Sequence, residues 1–311
     1  MTLAWGLFLV AGLGSNGTVD LRQYELGLAL YLGESAESVT FSPDGNFVLF
    51  TNSAGEVPYS ARLGEVGGRA PERRLVNCLY RVSCADGKLE LVAGFKEGQE
   101  LRGFSILGTG GDVLYRLGTP GSPTERMVWA PVGGKPVALL EPDPGLRAEV
   151  CSAPDRRGGM VAYSRRESDR PAPVRVLILD GTGMRELPGI RDWRFALFLG
   201  TSTETGEAVF FATSEPTGDG KQGWFAIDWT TGAIRPTIRE APSVYEAVKV
   251  KPELVHTHQE TTGEITTSDG TVQKVVTRAA TRILATDPRG YRVVYQTAEG
   301  AFLREWVRKK A

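Results

Sequence analysis

The sequence is poor in the residues that most often carry chemistry. Its 311 residues include three cysteines, Cys78, Cys84 and Cys151, and two histidines, His256 and His258. An odd, low cysteine count excludes a disulfide framework. Six strand residues would hold Cys78 and Cys84 ~20 Å apart, so buried thiols are the expectation for all three. Any Ser-His-Asp or Cys-His arrangement must use one of the two histidines. There is no G-x-S-x-G elbow, because Leu13 stands where the nearest candidate needs its first glycine. P-loop, paired Cys-x-x-Cys and calcium-loop patterns are also missing. Neither sign of charge dominates: 36 Lys and Arg face 37 Asp and Glu, for a net charge of −1. That removes the usual basis for a nucleic-acid partner, and none is expected.

Long hydrophobic runs are missing as well. The most apolar stretch, residues 3–13, is too short for a transmembrane span, and none is expected. It suits the core of a signal peptide, although no Lys or Arg precedes it and no small-x-small cleavage site follows. The alternative is an apolar strand packed on the domain. A lipoprotein anchor is excluded, because no cysteine follows the run. Gly12-Leu13-Gly14-Ser15-Asn16-Gly17 spells a dinucleotide fingerprint, but no helix-period segment follows to build the βαβ units it requires.

What the chain has in quantity is glycine, 38 residues, with 18 prolines, a composition of many turns and few long helices. Two apolar runs flank Ser42-Pro43-Asp44-Gly45, where Pro43 presets φ, Asp44 can bond the backbone ahead and Gly45 takes positive φ. That is a β-hairpin, and weaker copies recur. One set of turns lies at Asp86-Gly87, Gly133-Gly134, Asp180-Gly181, Thr231-Gly232 and Asp269-Gly270, read as two-residue hairpins. Their glycines are spaced near 45 residues, the period of propeller blades. A second set at Gly45, Gly111, Gly159, Gly206 and Gly290 interleaves, with a degenerate turn expected near Lys251-Pro252-Glu253. The phasing gives six units of four strands.

The sixth unit, 281–307, has no outer strand, and the alternating segment 24–32 has no unit. The expectation is an all-β fold: a single six-bladed β-propeller of four-stranded antiparallel blades, its ring closed by 24–32 pairing with 301–307. Seven blades is the alternative. In domain terms, residues 1–17 are a signal peptide or apolar N-terminal segment and 18–311 the propeller.

Val39-Thr40-Phe41-Ser42-Pro43-Asp44-Gly45-Asn46-Phe47-Val48-Leu49-Phe50, followed by Leu79-Tyr80-Arg81-Val82 and Asp86-Gly87-Lys88-Leu89, resembles the WD-like repeat of TolB-type propellers. The resemblance is clear over about 60 residues and later survives as turns, most visibly Asp287-Pro288-Arg289-Gly290. It implies the propeller fold, export to the periplasm or beyond, and protein binding. Related rings gate serine peptidases, and other propellers are lyases or hydrolases. The usual TolB N-terminal domain has no counterpart here, so the resemblance carries fold and repeat but no pathway. Retention of the N-terminal run would instead favour the cytoplasm.

Few residues suggest catalysis. On one strand His256, His258 and Glu260 would share a face with neighbours ~6.5–7 Å apart, a spacing that could hold zinc; with no third histidine or cysteine nearby, the reading preferred is a polar strand with solvated or hydrogen-bonded histidines, and no metal is expected. Asp44, Asp155 and Asp287 read as turn stabilisers, and Trp129, Trp193, Trp224, Trp229 and Trp306 as packing between blades. No cofactor is expected. The stronger signal is loop length. Connections from second to third strands are long in the first four units, at 53–75, 118–125, 165–173 and 214–223, and short in the last two. One sector of one face therefore carries the insertions. These loops contain Arg69, Glu72, Arg73, Arg74, Arg165, Arg166, Glu167, Asp169, Arg170, Asp219 and Lys221. Of these, Arg69, Arg73, Arg74, Arg165, Arg166, Asp169, Arg170 and Lys221 are the candidate partner-binding residues. The function expected is a non-catalytic scaffold that binds a protein or peptide through this face, in the cell envelope. The alternatives are an enzyme, lyase- or hydrolase-like, with a site in the central channel, and a binder of small molecules or glycans.

Overall fold

The computed structural model describes residues 19–52, 77–95, 98–141, 147–152, 156–164, 166–167, 170–171, 174–190, 193–201, 206–214, 221–237 and 252–309. Among them the only helical element is a 3-10 turn, Leu21–Gln23, and no helix is long and apolar enough to cross a membrane. Two short strands come first, β1 (Tyr24–Leu26) and β2 (Leu30–Gly33). The rest is a series of antiparallel sheets built from consecutive strands. The first sheet holds β3 (Glu37–Phe41), β4 (Phe47–Asn52), β5 (Asn77–Ser83) and β6 (Leu89–Phe95). The second holds β7 (Glu100–Leu107), β8 (Asp112–Gly118), β9 (Glu125–Ala130) and β10 (Val137–Leu140).

In the third sheet, β11 (Arg147–Ser152) and β12 (Gly159–Ser164) pair, and β12 then pairs with β15 (Val174–Asp180), which pairs with β16 (Gly183–Ile190). A detached hairpin of β13 (Arg166–Glu167) and β14 (Arg170–Pro171) interrupts it. The fourth sheet is β17 (Phe195–Thr201), β18 (Ala208–Thr213), β19 (Gln222–Ile227) and β20 (Ile234–Thr237). The fifth shows β21 (Val255–Gln259), β22 (Glu264–Ser268) and β23 (Gln273–Thr277); residues 238–251, just before it, lie outside the described residues. The last joins β24 (Ala280–Thr286), β25 (Arg292–Thr297) and β26 (Gly300–Arg308) to β1 and β2. Four-stranded antiparallel sheets in sequence order are what propeller blades require.

The two ends of the chain meet on β26. Tyr24 stands opposite Arg308 and Leu26 opposite Trp306; Leu30 stands opposite Leu303 and Gly33 opposite Ala301. The N-terminal strand is broken at 27–29, which leaves Leu28 97% exposed. Two long-range polar contacts fasten it further: Leu21 N–H donates to Asp269 (2.6 Å) and Lys274 Nζ to the Tyr24 carbonyl (2.6 Å).

Strand burial explains the apolar runs. The second strands β4 and β12 sit between two layers, so successive residues serve opposite neighbours. Val48 and Phe50 pack with β25 and β26 residues Val294 and Leu303, whereas Leu49 packs with Val113, Tyr115 and Val128 of the second sheet. Likewise Met160 and Ala162 meet Phe210 and Ala212 of the fourth sheet, while Val161 and Tyr163 meet Leu114 and Trp129 of the second. The fifth and sixth sheets share Leu254, Ile265, Tyr295 and Trp306. Between the fourth and fifth there is no shared cluster among the described residues; the outward face of the fourth carries Val209, Ala226 and Trp224.

Polar clamps accompany these layers. Arg292 donates to the Gly45 carbonyl (2.8 Å) and Arg81, almost fully buried, to the Gly111 carbonyl (2.8 Å) and Glu90. Arg157 grips fully buried Asp112 with two nitrogens, at 2.9 and 2.8 Å, and Val132 N–H adds a third donor at 2.7 Å. Arg185 reaches the carbonyls of Trp229, Thr230 and Thr231. A buried charge survives only when paired and hydrogen-bonded in this way.

Several turn expectations need correction. Of the five turns expected to be two-residue hairpins only the third is one, and its residues are Gly181-Thr182 rather than Asp180-Gly181; the connections 84–88, 131–136, 228–233 and 269–272 are longer. Gly158 (φ 107°), not Gly159, takes the left-handed position before β12. Asp44 and Asp287 are not equivalent. Asp287 takes the place of Ser42, since its carboxylate accepts from Arg292 N–H (2.6 Å) as the Ser42 hydroxyl accepts from Phe47 N–H (3.0 Å). Asp155 lies outside the described residues.

Candidate functional site

Register places the long connections on one side. Glu37 pairs with Thr51, Glu100 with Gly118 and Arg147 with Ser164. The first strands therefore begin where the second strands end, beside the segments 53–76, 119–124 and 165–173. Of the residues expected to bind a partner, Arg69, Arg73, Arg74, Arg165 and Asp169 lie outside the described residues. Arg166 and Arg170 fall on the β13–β14 hairpin, where Arg166 stands opposite Pro171 and Glu167 opposite Arg170. Lys221 is exposed, and its carbonyl accepts from Ser214 N–H (2.9 Å) at the base of its loop. The 119–124 connection is a pinned turn: Arg102 donates to the carbonyls of Thr119 (3.0 Å) and Ser122.

Two grooves open between first strands of neighbouring sheets. One, of about 420 Å³, is lined by Gly103, Phe104, Ser105, Leu114, Arg116, Ala148, Glu149 and Val150. Gly103 makes room there for the Arg116 guanidinium, which would stand 3.3 Å from a Cβ at that position. Arg116 pairs with Glu125 at 3.3 Å. Across the groove burial pushes the Glu149 carboxyl up, and the Arg116 charge only partly offsets it. The second groove, also about 420 Å³, is lined by Ala36, Glu37, Ser38, Val39, Arg282 and Leu284. Here β3 is bulged and Ser38 has φ 49°, the one non-glycine residue at positive φ among those described. Such strain persists only where surrounding structure imposes it. Neither groove was legible in the sequence, since each joins residues from strands of different sheets.

The histidines are engaged in packing. His256 Nε2 meets the Gly290 carbonyl (2.7 Å) and its Nδ1 the Thr267 hydroxyl (2.9 Å), which also accepts from Trp306 Nε1 (2.9 Å). The Gly290 carbonyl can only accept, so Nε2 carries the hydrogen and Nδ1 of the neutral ring accepts from the Thr267 hydroxyl. Burial holds the His256 pKa below the usual histidine value. His258 Nε2 meets the Ala280 carbonyl (3.2 Å). Both imidazoles thus bind the sixth sheet, and Glu260 is exposed. Among the described residues no cluster of three or more His, Cys, Asp or Glu could hold a metal. All three cysteines are free; Cys78 and Cys151 are buried. Burial raises the Cys78 thiol and pushes Cys84 up to about 12, so neither is a ready nucleophile.

No family model matches the sequence, and no curated protein does. Among solved structures the chain is similar to TolB from Acinetobacter baumannii, with 13% identity and a TM-score of 0.33 over 88% of this chain; it spans 55% of the TolB chain. It is similar to an oligogalacturonate lyase in complex with manganese, with 11% identity and a TM-score of 0.39, over 88% of this chain and 77% of that one. Dipeptidyl peptidase 4 of Porphyromonas gingivalis gives 12% identity and a TM-score of 0.36, over 83% of this chain and 41% of that one. The propeller reading rests on the sheets and their register, not on these likenesses.

Proposed function

We propose that the sheets are the blades of a single six-bladed propeller, closed where β1 and β2 pair with β26, and that this ring is a non-catalytic scaffold. It binds a protein or peptide through the face where the second strands end, in the periplasm or outside the cell. The observation that carries the reading is the asymmetry of the connections. Residues 53–76 separate β4 from β5 and 165–173 separate β12 from β15, whereas β25 and β26 are joined by 298–299 alone. A ring needs only tight turns, and ordering a loop costs about 1–2 kcal/mol per residue in backbone entropy, so such insertions are retained for something other than the core. The engagement of both histidines and the raised Cys78 and Cys84 thiols favour binding over catalysis. Arg73, Arg74, Arg165 and Arg166 are the proposed anchors, since arginine is enriched at the energetic centres of interfaces.

The test begins with a pull-down from the native host, the captured partner identified by mass spectrometry. Residues 55–74 are then replaced by a short Gly-containing turn. The expected result is unchanged thermal unfolding with weakened association. A variant that unfolds makes the loop structural; one that folds and binds normally places the functional face elsewhere. Turnover of chromogenic esters, glycosides or lactones would overturn the scaffold reading. Intact mass of the host protein decides export: a start between residues 15 and 19 supports it, and a retained N-terminus refutes it.

A further inference from the structure

The groove between β7 and β11 has a charge arrangement that the fold does not explain. Two ionisable groups, Arg116 and Glu149, line it. Arg116 is paired with Glu125, which leaves Glu149 as the surplus negative charge. Among the described residues no hydrogen bond or ion pair reaches the Glu149 carboxylate, although the residue is partly buried. Three other acids withdrawn from solvent among the described residues are satisfied: Asp112 by Arg157 and Val132 N–H, Asp287 by backbone donors, Glu305 by Arg292. A desolvated carboxylate without donors is costly, and here its cost coincides with a cavity of about 420 Å³, within the range of small-ligand clefts.

The position fits a contact surface. Gly103 pairs with Arg116, next to the 119–124 turn, and Ala148 pairs with Tyr163, next to the connection that carries β13 and β14. The groove therefore lies in the half of the sheets nearer the long connections. The other groove carries Glu37 and Arg282, but both are exposed and solvated, so its charges need no ligand.

We infer that the groove between β7 and β11 receives a basic side chain, Lys or Arg, of a protein or peptide partner, with Glu149 as its counter-charge and Arg116, held by Glu125, setting the groove's other wall. This deepens the binding reading above and rests on it for the biological occupant. The cation supplies the donors that Glu149 lacks. An acidic side chain would instead add a second unpaired negative charge beside it.

The test uses the full chain and three probes, trilysine, triglutamate and trialanine, by titration calorimetry at low salt. Trilysine is expected to bind saturably and at least tenfold tighter than either other peptide. Glu149→Gln is expected to lower that affinity at least tenfold, while Glu299→Gln, on the exposed turn between β25 and β26, leaves it unchanged. Arg116→Gln moves the affinity the other way, because it removes the positive wall. Equal loss in both glutamate variants, or tighter triglutamate binding, overturns the inference. The two readings fail separately. If replacing 55–74 abolishes partner binding while Glu149→Gln does not, the groove assignment is wrong and the loop face stands. If Glu149→Gln abolishes trilysine binding but the loop replacement leaves partner binding intact, the groove stands and the loop face is wrong.

Discussion

Gly290 and Gly270 offer a matched pair for testing how the fifth and sixth sheets meet. Both have positive φ, 84° and 93°. A Cβ on Gly270 would meet nothing within 4 Å, whereas one on Gly290 would fall 1.8 Å from the Leu254 carbonyl oxygen and 2.7 Å from its carbon. Gly270→Ala therefore incurs only the left-handed backbone penalty, about 1–2 kcal/mol. Gly290→Ala incurs the same penalty and must also move the turn away from Leu254. That movement pulls the Gly290 carbonyl off His256 Nε2, a bond with a net contribution of about 0.5–1.5 kcal/mol, and loosens the Leu254 packing. The expected loss is about 3 kcal/mol or more for Gly290→Ala, at least 1 kcal/mol beyond Gly270→Ala. Urea unfolding followed by tryptophan fluorescence measures both. If the two variants unfold within about 0.5 kcal/mol of each other, below the contribution of a single such bond, the close approach of these sheets is refuted.

His256 makes stability depend on pH. Its folded pKa is depressed, so the unfolded chain takes up the proton first as pH falls below its ordinary value of 6.5. Stability is complete above that value and declines as pH drops toward the folded pKa; His256→Gln is expected to flatten the decline in melting temperature between pH 7.5 and 5.5, and an unchanged slope would refute it. Asp112→Ala leaves Arg157 and Val132 N–H without their acceptor, at an expected cost of about 3 kcal/mol. Arg157 is partly exposed and can turn to water, so the double variant Asp112→Ala/Arg157→Ala is expected to cost little more than the single one, as a double-mutant cycle in urea would show. Thiol labelling of native protein at pH 8 is expected to leave Cys84 and Cys78 almost unmodified until denaturant is added; rapid labelling of either would contradict their raised pKa values.

Local chemistry made much of the architecture legible. A turn glycine is chosen by its own φ, so Gly45, Gly87, Gly111, Gly206, Gly232, Gly270 and Gly290 marked connections that the structure confirms. Strand periodicity is equally local, and counting strands left the last unit without an outer neighbour and the N-terminus with a spare one, the segments that meet on β26. Other features depend on which residues become neighbours across sheets, and the sequence carries no register for those. Nothing near Leu21 announces Asp269, and nothing in β21 announces that His256 and His258 will reach carbonyls of the next sheet. The acid of one turn could not be told from the acid of another until Asp287 was found where Ser42 stands. Glu149 and Arg116 belong to different sheets, and only their convergence shows that one carboxylate is left without a donor. Backbone conformation is decided residue by residue and can be read from the chain; pairing, burial and charge balance are properties of distant neighbours, and the tertiary structure alone brings those together.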